Sequence, residues 1–125
     1  MIVGTAKRNK EGEKKPTRFY SSRQEKTVAK AIGGKVTPNS GATPWVKGDI
    51  LAEKFLIECK TKTTPSESIS IKKEWFIKNK SEALFMGKPY SALVFNFGPD
   101  QENYYIIDEY LFQDLVEYLR GKRDE

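Results

Sequence analysis

Apolar positions along this chain change their period several times, and each change marks an element. Ser22 followed three residues later by Glu25 reads as a capping box, and Val28, Ala29 and Ile32 then recur at helical spacing as far as Gly33-Gly34. A helix over residues 23–32 is predicted. Residues 35–47 are rich in Pro, Ser, Thr, Asn and Gly, so they read as a surface loop, and the loop's length points to function. Period two follows, predicting strands over residues 49–52 and 55–61 around a tight turn at Glu53-Lys54. In the second strand Phe55, Ile57 and Cys59 share one face, Glu58 and Lys60 the other. Residues 72–86 return to helical spacing and stop at Gly87. Because Trp75, Phe76, Ile77, Leu84 and Phe85 spread around more than one side, this helix is expected to be covered on two sides. Residues 90–97 are a dense apolar run, expected as a buried strand, with residues 104–107 as its hairpin partner across Gly98-Pro99-Asp100. Asp108 caps a final helix over residues 110–120, which carries Leu111, Leu115 and Leu119 and stops at Gly121.

The order helix, strands, helix, two strands, helix predicts an α/β or α+β fold in which helices flank one mixed sheet. At 125 residues the chain has room for one domain. That domain is expected over residues 21–125, behind a basic arm over residues 1–20 that has little to bury. The first thirty residues hold nine Lys/Arg against three acids, residues 31–80 nine against five, and residues 81–125 four against nine. The overall +5 therefore belongs to the N-terminal two thirds, an asymmetry that suits a polyanion partner. Simple solubility would explain the same excess. With no His and a single Cys, disulfide frameworks, Cys/His zinc sites and imidazole-based hydrolases are excluded. The lone Cys59, the lack of an apolar run of about 20 residues and the lack of an apolar signal segment predict a cytoplasmic protein without a membrane span.

Any chemistry must then rest on carboxylates and lysines. If the first hairpin turns between Glu53 and Lys54, antiparallel partners have numbers that sum to 107, which sets Ile50 against Ile57 and Asp49 against Glu58. Two facing carboxylates repel unless a cation lies between them. Oxygen donors without a Cys/His set favour Mg²⁺, with Mn²⁺ as a substitute. Lys60 lies on the Glu58 face, where its ammonium can stabilise charge on a phosphate. These parts suit in-line phosphodiester hydrolysis. An ordinary ion pair on a solvated face is the plain alternative for Glu58 and Lys60.

Gly48-Asp49 followed by Glu58-Cys59-Lys60 resembles the PD-(D/E)XK nuclease signature, with Gly in the place of Pro, and Asn39-Ser40-Gly41 resembles the loop of archaeal or phage-type Holliday junction resolvases. The resemblance covers residues 22–60. It implies a restriction-endonuclease-like αβββαβ core and a homodimeric, Mg²⁺-dependent endonuclease that cuts branched, four-way DNA. Asp49 and Glu58 would hold metal, with the Cys59 backbone carbonyl as a further ligand and Glu25 as an additional acidic group; Lys60 would orient water, and Ser40 and Glu25 would complete the catalytic set. Candidate DNA contacts are Lys7, Arg8, Lys14, Lys15 and Arg18 in the arm, Arg23, then Asn39, Trp45 and Lys47 in the loop, and Lys62, Lys72 and Lys73 beyond it. Two other functions fit the same residues: a nuclease of this type acting on linear, flapped or nicked DNA, and a noncatalytic basic protein that binds nucleic acid.

Overall fold

The computed structural model describes residues 17–37 and 49–124. Helix α1 runs Thr17–Ile32, strands β1 Lys35–Val36, β2 Ile50–Leu51 and β3 Phe55–Lys60 follow, and helix α2 spans Lys73–Phe85. Strands β4 Tyr90–Phe95 and β5 Tyr104–Ile106 and helix α3 Glu109–Asp124 complete the described elements. The fold is α/β. Among the described residues five strands stand in chain order, antiparallel except for the β3–β4 pair, which is parallel. A parallel pair needs a crossover, and α2 supplies it.

The β2–β3 ladder has the register expected from the turn, Ile50 opposite Ile57 and Leu51 opposite Leu56. Alternation along β3 is also as expected. One sheet face gathers Ile50, Ile57, Cys59, Ala92 and Val94 into a core with Val28 and Ala29 of α1. The other face buries Leu56 and Leu93 beside Ala83 of α2. Asn79 is buried there too, and its amide donates to the Leu56 and Ala92 carbonyls at 3.3 and 3.2 Å, tying α2 to both central strands.

Four expectations need correction. Helix α1 starts at Thr17, within the stretch expected to be an arm, so Ser22 and Glu25 are helix-interior residues and form no capping box. The hydroxyls in this helix bond backward instead, Ser21 to the Arg18 carbonyl and Thr27 to the Arg23 carbonyl. Residues 35–36, expected as loop, form the edge strand β1 because the chain turns sharply enough to pair with β2. Gly33 makes that turn in the left-handed region (φ +70°), and Gly34 packs so closely that a Cβ would lie 2.9 Å from the Ile50 side chain. Helix α2 is covered on one side only: Asn79 and Ala83 are buried, while Ile77, Leu84 and Phe85 are exposed. Helix α3 runs through Gly121, since glycine permits a left-handed exit without requiring one.

Asp108 does cap α3, as expected; its carboxylate accepts the Leu111 N–H at 2.9 Å and meets Lys80 of α2 at 3.0 Å. Among the described residues no helix is long and apolar enough to cross a membrane.

Candidate active site

Strand β2 is only two residues long, so the ladder ends before β3 does. A backbone N–H on β3 beyond that point needs another acceptor. Asp49, just ahead of β2, provides it, with Oδ2 accepting the Cys59 N–H at 2.8 Å. Its own N–H donates to the Ile57 carbonyl at 3.1 Å, and its carbonyl accepts the Thr37 N–H at 2.9 Å. Asp49 is thus fixed at both ends by neighbouring strands. It does not simply face Glu58 as the expected pairing implied; the carboxylate turns along β3 to the amide between Glu58 and Lys60. The N–H and C=O of a strand residue point to the same side, so the Cys59 carbonyl opens toward Asp49 as well.

Glu58 and Lys60 lie on the opposite face from Cys59, at the carboxyl end of β3 and beneath α2. Their side chains meet at 3.5 Å, each a little over a quarter exposed. Burial, reinforced by Asp49 and opposed by Lys60, raises the Glu58 carboxyl to about 6. The Lys60 ammonium also sits 4.1 Å from the centroid of the Trp75 ring on α2. From the other side of the sheet, Gln24 of α1 donates its amide to the Lys60 carbonyl at 2.9 Å. Three elements therefore converge on one strand end.

Glu25 lies on the α1 face, 4% exposed. Burial and then Asp49 raise its carboxyl, against Arg18, whose guanidinium stands 3.6 Å away. With the capping box gone, the helix end no longer explains Glu25; its surroundings are Arg18 and the field of Asp49. The Cys59 thiol is buried on that face and held protonated by burial and by Asp49, Glu25 and Glu58, so it is no nucleophile.

The donor set is two carboxylates, one from Asp49 ahead of β2 and one from Glu58 on β3, with a backbone carbonyl between Glu58 and Lys60, all oxygen. A hard divalent cation fits that chemistry; Glu58 is raised first by its burial and then by Asp49. Among the described residues no group of three or more His, Cys, Asp or Glu side chains is placed to hold a metal ion.

Of the candidate DNA contacts, Lys72 and Lys73 are exposed at the start of α2 and Lys62 is half-buried just past β3. Arg18 and Arg23 are engaged, the first with Glu25 and the second with Asp100 at 3.0 Å. Lys7, Arg8, Lys14, Lys15, Asn39, Ser40, Trp45 and Lys47 lie outside the described residues. Sequence reasoning missed Gln24, a buried amide beside Glu25, and it left Trp75 as ordinary core. The helical spacing that sets Trp75 one turn before Asn79 was the available signal, since it placed the indole over the end of β3.

No protein-family model matches the chain, and no curated protein or solved structure matches it.

Proposed function

We propose that this protein is a metal-dependent endodeoxyribonuclease with a PD-(D/E)XK-type site on a restriction-endonuclease-like core, acting on four-way DNA junctions as a homodimer. The observation that carries the reading is the Asp49 carboxylate bonded to the Cys59 amide, between Glu58 and Lys60. A solvated ion pair alone would not need a third charged residue anchored at that amide, nor would it leave Glu58 raised to about 6. The order helix, three strands, helix, strand also agrees with such a core. Its junction preference rests on the resemblance of Asn39-Ser40-Gly41.

Asp49, Glu58 and the Cys59 carbonyl would hold the cation, which when bound supplies positive charge and an acidified water. Asp49 keeps its geometry through the Cys59 amide, so its carboxylate is held in place without side-chain reorganisation. Lys60 extends along the same face and offers its ammonium to the negative charge that builds on the phosphorus oxygens. Exposed Lys72 and Lys73 can hold the backbone of the duplex beside the site, sequence-independently.

The protein should nick a four-way junction in Mg²⁺ and not in EDTA. Asp49→Asn should lower cutting by about 100-fold or more while leaving binding nearly intact, because the amide oxygen can still accept the Cys59 N–H. Cutting that survives this substitution would discredit the site. Competition with a linear duplex of the same sequence separates junction resolution from general duplex cleavage, and salt-sensitive binding without any cutting would leave a basic DNA-binding protein.

A further inference from the structure

Lys60 occupies an awkward electrostatic position. Its ammonium is 3.5 Å from Glu58, the carboxylate that a cation would claim. Once that charge is taken, the ion pair weakens and the ammonium is repelled by the cation beside it. An ammonium on a flexible four-carbon stem would then swing into water. The Trp75 ring, 4.1 Å away, attracts the ammonium through its quadrupole and carries no net charge for a metal to compete for. The backbone of Lys60 is already fixed: its strand pairs with β4, and its carbonyl is bonded by Gln24. Only the side chain remains to be placed.

We propose that Trp75 is the positioning residue for Lys60, holding the ammonium beside the Glu58 carboxylate when a divalent cation occupies the acidic pair. This rests on the nuclease reading above and adds a group that neither the sequence signature nor the acidic pair includes. The indole touches no substrate; it acts through the amine. Its importance is greatest with metal present, because without metal Glu58 holds the same ammonium.

The experiment compares the parent protein with Trp75→Leu, Trp75→Phe, Lys60→Ala and the double variant Lys60→Ala/Trp75→Leu. Single-turnover junction cutting in Mg²⁺ is read alongside junction binding and the NMR signal of the Lys60 ε-methylene. Trp75→Leu should slow cutting about tenfold with binding within about twofold of the parent, and Trp75→Phe should restore most of the rate. The double variant should be no slower than Lys60→Ala, since both changes remove one function. In the parent the ε-methylene should be shifted upfield by the ring, in Mg²⁺ as well as without it, and lose that shift in Trp75→Leu. A double variant slower than Lys60→Ala by the full Trp75→Leu factor would overturn the proposal, as would a phenylalanine as slow as leucine. Lys60→Ala that cuts like the parent, or a parent that does not cut, overturns the nuclease reading itself. An ε-methylene without a ring shift overturns the contact whatever the activity.

Discussion

Glu58 shows how one side chain ties stability to pH. Its carboxyl is raised from the ordinary 4.5 to about 6, which at about 1.4 kcal/mol per unit amounts to about 2 kcal/mol. Because the folded state holds this proton more tightly than the unfolded chain, the group stabilises the fold below pH 4.5, and that contribution is lost as pH rises through 6. Glu58→Gln should therefore be more stable than the parent by about 1 to 2 kcal/mol at pH 7.5 without metal, the smaller figure allowing for its partial exposure. At pH 4 the two should differ little. Urea unfolding at both pH values measures this, and equal stability at pH 7.5 would show that Lys60 fully offsets the burial. Mg²⁺ should reverse the ranking, stabilising the parent and not the variant.

Among the elements, β3 was the most legible in the sequence. Strict alternation from Phe55 to Lys60 assigned both faces, and a two-residue connection fixed the register with β2. The same reasoning failed at Asp49, because a ladder register says nothing about a residue beyond the last pair; there the side chain follows the unpaired Cys59 amide. At α1 the error had a different origin. Ser22 and Glu25 match a capping pattern, but residues 17–21 are compatible with helix and the chain continues through them. Ser22→Ala should then be neutral, or stabilising by up to about 0.5 kcal/mol, where loss of a true N-cap would cost about 1 kcal/mol. Thermal unfolding of that variant distinguishes the two starts. The exposure of α2 was illegible for a related reason, since apolar residues on several sides of a helix look the same whether the cover comes from this chain or from another.

At the scale of the whole molecule, that uncovered surface is extensive. Ile77, Leu84 and Phe85 on α2 and Phe112, Leu115, Tyr118 and Leu119 on α3 are each more than two-fifths exposed, while on α3 Leu111 is buried. Lys80–Asp108 and the Tyr90 hydroxyl bonded to Asp114 fasten the start of α3 beside α2 and β4, so the rest of its apolar stripe extends beyond the domain. A second copy docked on this face would cover it and suits the proposed homodimer. Leu115→Glu with Leu119→Glu should convert a dimer to a monomer of unchanged helical content, read by sedimentation and circular dichroism. A parent that sediments as a monomer at micromolar concentration would remove this face from consideration. The acidic excess of residues 81–125 follows, in sequence, the lysines that begin α2.

Cys59, finally, is flanked in sequence by the two residues of greatest chemical interest, yet its sulfur is sealed under α1 on the reverse side of the sheet. A thiol-modifying reagent can reach it only when that helix lifts. The rate at which the sulfur is labelled is therefore a clock for opening at the strand that carries Glu58 and Lys60, readable in the unmutated protein and without any ligand.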